Sequence, residues 1–75
     1  MKKELLAPLS GKVLSIELKL GDTVEEDDEA IIIEALKMET TIYIPCEGTV
    51  EKILVKEGDQ VEEDHVLMII NTSEQ

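Results

Sequence analysis

The chain has 75 residues, enough for one domain with a small hydrophobic core. Isoleucine, valine and leucine must build that core, because the chain has one tyrosine and neither phenylalanine nor tryptophan, and β-branched residues favour strands. A formal net charge of −11, with seven lysines and no arginine, argues against nucleic acid and against an anionic membrane surface as ligands.

One sequence pattern occurs twice along the chain without a gap. Residues 7–34 align with residues 44–71 at a constant offset of 37, and 13 of these 28 positions are identical. Turn signals recur at Pro8 and Pro45 and at Gly21 and Gly58. Between these turns the sequence predicts strands at 4–7, 12–18, 23–24 and 30–35, and then at 38–44, 49–55, 60–61 and 66–71.

The stretch 30–44 is ambiguous when it is read locally. Residues 34–39 are good helix formers, and a short apolar run such as 31–33 fits a helix or a strand. The second copy removes the ambiguity, because the residues equivalent to 31–33 are followed by Asn71 and only four more residues, too few for a long helix. We therefore predict a strand in both copies.

Comparison of the copies also separates surface from core. Leu14 aligns with Glu51 and Leu20 with Glu57, so both leucines are predicted to face solvent. Positions that are apolar in both copies are predicted to point inward: Val13/Val50, Ile16/Ile53, Leu18/Val55, Val24/Val61, Ala30/Leu67 and Ile32/Ile69. The spacing from Val13 to Ile16 breaks the period of two and recurs in the second copy, which predicts a β-bulge at each place.

Two copies are too few for a solenoid, so we expect a closed all-β sandwich or flattened barrel with an approximate two-fold axis. Leu36 and Lys37 would form a two-residue hairpin tip between Ala35 and Met38. Such tips usually contain Asn-Gly or Gly-X, and a broken local rule is expected at a functional site. An exposed lysine amine at this position is a candidate for acylation by a modifying enzyme.

The compartment can be predicted from what the sequence lacks. Cys46 is the single cysteine, which excludes an internal disulfide. No apolar run has the length of a transmembrane helix, and the charged N-terminus lacks the hydrophobic stretch of a signal peptide. We predict a cytoplasmic protein without direct membrane insertion.

Residues 34–39, Glu-Ala-Leu-Lys-Met-Glu, resemble the attachment motif of biotinyl domains in the biotin/lipoyl attachment family, where Ala-Met-Lys-Met is typical. The resemblance covers nearly the whole chain, including the Pro8–Gly11 turn, the Gly-Asp pairs at 21–22 and 58–59, and Gly48. It implies a single biotinyl domain over residues 1–75, folded as a flattened barrel-sandwich of two four-stranded antiparallel sheets with quasi-two-fold symmetry. Leu36 departs from the motif, because methionine is usual there.

The resemblance implies a biotin carboxyl carrier. Lys37 would be the covalent biotin attachment site, with Ala35, Leu36 and Met38 as motif residues. A biotin ligase would attach biotin to Lys37. The arm would shuttle CO2 as carboxybiotin between a biotin carboxylase and a carboxyltransferase or decarboxylase subunit. The domain would be a non-catalytic part of a biotin-dependent carboxylase, decarboxylase or transcarboxylase, with no catalytic residue and no metal site of its own.

Two alternatives stay open. A lipoyl carrier domain of a 2-oxoacid dehydrogenase-type complex has a similar lysine-bearing hairpin, but usually with Asp before the lysine and Ala after it. An unmodified barrel-sandwich interaction module would leave Lys37 free. The acidic runs at 25–29 and 62–64 lack a calcium-loop spacing and are interpreted as solvated loops, with His65 on the surface and Cys46 as a small, partly buried residue.

Overall fold

The computed structural model describes residues 2–72, and these form eight β-strands. All eight predicted strands are present, with ends within two residues of the prediction: β1 Lys2–Leu6, β2 Gly11–Ile16, β3 Thr23–Val24, β4 Glu29–Ala35, β5 Met38–Tyr43, β6 Gly48–Ile53, β7 Gln60–Val61 and β8 Val66–Asn71.

The strands form two antiparallel four-stranded sheets, ordered β1-β8-β6-β3 and β5-β4-β2-β7. Strands β1 to β4 lie in the first half of the chain and β5 to β8 in the second, with β1 and β5 directly before the two aligned copies, so each sheet takes two strands from each half. Exchanging the copies converts one strand order into the other, which is the quasi-two-fold relation that the repeat predicts. The all-β barrel-sandwich prediction is confirmed.

Backbone hydrogen bonds between the copies repeat this symmetry. The N–H of Gly21 donates to the carbonyl of Val50 at 2.9 Å, and the N–H of Gly58 donates to the carbonyl of Val13 at 2.7 Å. Both glycines have positive φ, 90° and 94°, a conformation that glycine adopts without steric cost. Each copy therefore places a turn against a strand of the other copy.

The core lies between the inner faces of the two sheets and consists of aliphatic side chains. Its buried members are Leu5, Ala7, Val13, Val24, Ala30, Ile31, Ile33, Ile42, Ile44, Val50, Val55, Val61, Leu67, Met68 and Ile70, with Ile16, Leu18 and Ile53 packed against it. Most of the residues predicted to point inward belong to this set.

The prediction that Ile32 and Ile69 point inward is wrong, since both are only half-buried. The register explains the error. Val13 pairs with Ile33, the pairing shifts between Val13 and Ser15, and Ser15 then pairs with Ile32. Cross-strand partners share a face, so Ile33 lies inside with Val13 and Ile32 lies outside.

The same register shift confirms the predicted bulges. Leu14 in β2 and Glu51 in β6 are the extra residues at the two shifts. Leu20 is 66% exposed, as predicted. Leu14 is half-buried and lies outside the core cluster, so it faces solvent only in part.

Strand pairing also fixes which segments lie at each end of the molecule. Lys12 pairs with Glu34, beside the β4–β5 turn, and with Gln60 on β7. Loop 7–10 leads into β2, and loop 62–65 follows the antiparallel β7 and is hydrogen-bonded to Ala7, so both loops lie at the same end as that turn. Lys2, Asn71 and Thr49 pair in one row of the other sheet, at the opposite end.

Candidate functional site

The β4–β5 hairpin closes with the two-residue turn that the sequence predicts. Ala35 pairs with Met38, and Leu36 and Lys37 connect them. Leu36 has φ 53° and Lys37 has φ 64°, so both central residues are left-handed, as a type I′ turn requires. This turn suits the right-handed twist of the two strands, but a left-handed conformation costs a non-glycine residue about 1–2 kcal/mol.

The side chains around the turn are mostly in solvent. Leu36 is 92% exposed and Met38 is 69% exposed, whereas Ala35 is buried at 7%. Lys37 is exposed. The ion pair found among residues 2–72 joins Lys2 and Glu51 at 2.6 Å and does not involve Lys37. The Lys37 amine is therefore accessible to another protein, with an apolar side chain on either side.

The base of the hairpin packs against the start of β2. Gly11 lies where an added Cβ would be 2.5 Å from the carbonyl oxygen of Glu34 and 3.2 Å from Cβ of Ala35. Gly11 was predicted only as a turn residue, and its contact with the hairpin was missed. Its separation from Lys37 in sequence gives no signal of this proximity, which arises from the pairing of β2 with β4.

Two aspartates, one in the first acidic run and one shortly before it, bind loop backbone through their side chains. The carboxylate of Asp22 accepts from the N–H of Lys19 at 2.9 Å, and that of Asp28 accepts from the N–H of Glu25 at 2.8 Å. Among residues 2–72, no group of three or more His, Cys, Asp or Glu side chains is arranged to hold a metal ion.

Of the other reactive side chains, Cys46 lies at the opposite end of the molecule from Lys37, whereas His65 lies in a loop at the same end. Cys46 is a half-buried free thiol in a shallow, open concavity, lined also by Glu25, Glu26, Pro45 and Glu47. This concavity lies between loops 25–28 and 44–47, at the end opposite the β4–β5 turn. His65 is exposed in loop 62–65. The described part of the chain has no helix that could cross a membrane.

Comparison with curated proteins gives two partial matches. The chain is 50% identical over 36 residues to the glutaconyl-CoA decarboxylase subunit gamma of Acidaminococcus fermentans, covering 48% of this chain and 25% of that protein. It is 51% identical over 37 residues to the methylmalonyl-CoA carboxyltransferase 1.3S subunit of Propionibacterium freudenreichii subsp. shermanii, covering 49% of this chain and 30% of that protein. The aligned part is thus less than a third of either relative.

Two solved structures contain a closely similar fold. A single-chain, multi-domain long-chain acyl-CoA carboxylase superposes with a TM-score of 0.90 at 22% identity, over 96% of this chain and 7% of that one. The urea carboxylase of Kluyveromyces lactis superposes with a TM-score of 0.89 at 35% identity, over 95% of this chain and 6% of that one. The first likeness bears on the fold alone.

A family model settles the membership that the motif at 34–39 suggests. The biotin/lipoyl model, described as "Biotin-requiring enzyme", matches residues 1–70, nearly the whole chain. With the two antiparallel sheets and the lysine at the β4–β5 turn, this match shows that the chain belongs to the biotin/lipoyl attachment family of biotin-requiring enzymes.

Proposed function

We propose that this chain is a biotin carrier domain and that Lys37 is the residue to which biotin is attached. The observation that carries the proposal is the exposed lysine in a left-handed two-residue turn, flanked by Leu36 and Met38 in solvent. The turn holds the amine at one end of the molecule, clear of the sheets. A biotin ligase would join Nζ of Lys37 to the biotin carboxyl group as an amide: ATP activates the carboxyl group by adenylation with release of pyrophosphate, and Nζ loses a proton and displaces AMP.

The residues around the turn fit such an attachment. When bound, biotin supplies a ureido nitrogen that accepts and gives up a carboxyl group. The chain supplies a rigid anchor, since Lys37 follows a strand hydrogen-bonded on both sides, to β2 and to β5. Tethering keeps the local concentration of the carried group high at each partner site. No catalytic role is assigned to the exposed side chains near the turn.

The proposed partners follow from this role. They are a biotin ligase, a biotin carboxylase, and a carboxyltransferase or decarboxylase subunit, as in a carboxylase, decarboxylase or transcarboxylase. The matched relatives are a decarboxylase subunit and a carboxyltransferase subunit, whose names both describe movement of a carboxyl group. Because the alignments span less than a third of those proteins, their particular substrates are not carried over.

Biotin is favoured over lipoate by the residues beside the lysine. Lipoyl domains usually place Asp before the lysine and Ala after it, whereas Leu36 and Met38 occupy these positions here. Leu36 replaces the methionine that is usual in biotinyl domains. That change nearly conserves volume and polarity, so we expect ligase recognition to survive it.

Intact-mass measurement tests the proposal. The chain is incubated with a biotin ligase, biotin and ATP, and separately with a lipoate ligase, lipoate and ATP. We expect one biotin adduct per chain and none on the Lys37→Arg variant, which keeps the charge but not the amine. Absence of a biotin adduct, or a lipoyl adduct alone, would contradict the proposal. An adduct that persists in Lys37→Arg would show that a residue other than Lys37 is modified.

A further inference from the structure

The β4–β5 hairpin, which carries Lys37, packs against Gly11, where the surrounding atoms leave no space for a side chain. A Cβ on Gly11 would lie 2.5 Å from the carbonyl oxygen of Glu34 and 2.6 Å from Cγ2 of Ile33. It would also lie 3.2 Å from Cβ of Ala35. Two of these three neighbours are closer than real Cβ contacts essentially ever are. One of the two is backbone, which cannot rotate away.

The quasi-two-fold axis supplies a second copy of this arrangement. A Cβ on Gly48 would lie 2.6 Å from the carbonyl oxygen of Asn71 and 2.8 Å from Cγ2 of Ile70. Gly48 begins β6 and packs against the end of β8, as Gly11 begins β2 and packs against the end of β4. The steric situation is nearly the same, but this second contact lies at the opposite end of the molecule from Lys37.

We propose that Gly11 is a positioning residue for Lys37: it lets the end of β4 lie directly against β2 and thereby fixes the direction in which the β4–β5 turn presents the amine. The proposal rests on the proposed function, because it concerns reactivity at the biotin attachment site. It also gives a role to Ala35, whose small buried side chain is the hairpin's own contribution to this contact.

The physical argument is one of displacement. An alanine at position 11 must push the Glu34 carbonyl away by about half an ångström to reach the 3.0 Å below which real Cβ contacts essentially never fall. Lys37 lies three residues beyond Glu34, so a tilt of the strand end moves the turn as a unit. Displacing a reacting group by about 1 Å can reduce a rate about 100-fold.

Steady-state kinetics of biotin ligation tests the proposal, with the chain as the varied substrate. Wild type, Gly11→Ala and Gly48→Ala are compared at a temperature well below the unfolding transition of each. We expect both variants to unfold at lower temperature than wild type. We expect kcat for ligation to fall about 10-fold or more in Gly11→Ala, in line with misplacement of a reacting group, and to stay within about 2-fold of wild type in Gly48→Ala. Equal kcat values in the two variants would overturn the proposal.

A second variant changes Ala35, on the hairpin side of the same contact. It provides an independent test if Gly11→Ala does not fold. Ala35→Gly removes the methyl group that packs over Gly11 without adding a clash. We expect a lower kcat with a smaller change in KM, because the amine is less well held. A change in KM alone would indicate lost ligase contact and would count against positioning, as would unchanged kinetics. Failure of wild type to accept biotin would instead contradict the proposed function, so the two failures are distinguishable.

Discussion

At the scale of single residues, the turn at Leu36 and Lys37 is not built for stability. Both residues are left-handed, and Leu36 is almost fully exposed, so no packing within the chain offsets the backbone cost. Asn and Gly adopt this conformation far more easily. Exposed residues that destabilise the folded state are expected where another molecule recognises them.

This cost predicts a gain from Leu36→Asn. Asparagine tolerates the left-handed region, so we expect the free energy of unfolding to rise by about 1 kcal/mol. For a domain of this size that corresponds to an increase in Tm of about 4–8 °C. Thermal unfolding followed by circular dichroism measures it. The same variant should be a poorer substrate for a biotin ligase, because an exposed apolar flank of the lysine is lost.

Two controls separate the backbone effect from general effects of surface substitution. Leu20→Asn replaces another exposed leucine, one whose φ is not positive, and should not raise Tm. Lys37→Ala keeps a left-handed non-glycine residue and removes a side chain that buries little area. Its free energy of unfolding should therefore change by less than about 0.5 kcal/mol, with a correspondingly small change in Tm. A gain in Leu20→Asn as large as in Leu36→Asn would contradict the explanation.

At the scale of elements, the two copies of one loop differ in a single hydrogen bond. Loop 25–28 and loop 62–65 each contain an aspartate with positive φ, Asp27 at 74° and Asp64 at 69°. In the first loop, Asp28 accepts from the N–H of Glu25 at 2.8 Å. His65 occupies the position equivalent to Asp28. One residue of the first acidic run, Asp28, thus stabilises the turn of its loop. The sequence suggested only a solvated loop.

Asp28→Ala should therefore cost stability. Loss of one side chain to backbone hydrogen bond at an exposed turn removes about 0.5–1.5 kcal/mol from the free energy of unfolding, which urea denaturation resolves. Asp28→Asn keeps an acceptor and should lose less. Glu26→Ala removes a neighbouring charge and should stay within about 0.5 kcal/mol of wild type. Equal effects of Asp28→Ala and Glu26→Ala would indicate an effect of charge alone.

At the scale of the whole molecule, neither half of the chain can form a four-stranded sheet by itself. The partner of β1 is β8, and the partner of β3 is β6, so both pairings join the two copies. The glycine turns are also bonded across the copies. Residues 1–37 alone keep only the β2–β4 pairing, and two-stranded structures are marginal in water.

Separate halves should consequently be unfolded. Peptides of residues 1–37 and 38–75 are each expected to show no cooperative thermal transition by circular dichroism, whereas the intact chain shows one. The intact chain measured at the same molar concentration is the control. A cooperative transition in either half would contradict the interdependence of the copies and would require a stable structure that the strand pairings do not provide.

Much of the fold could be predicted from the sequence because it depends on local patterns and on the repeat. Turn residues marked the strand ends, and the second copy excluded a helix at residues 34–39. The break in period after Val13 indicated the bulge. The effect of that bulge on side-chain direction could not be predicted from the sequence. Because Leu14 takes the extra position, the register with β2 decides which of Ile32 and Ile33 points into the core. The prediction that Ile32 points inward was therefore wrong.

The sequence by itself determined that this chain is an all-β repeat with Lys37 at the connection, and the motif around Lys37 indicated the family. Only the tertiary structure decided the left-handed conformation of the turn, the exposure of Leu36 and Met38, and the contact of Gly11 with the end of β4. The physical reason is range. Strand and turn preferences act between neighbours in sequence, whereas face, exposure and close approach are set by pairing between strands far apart in the chain.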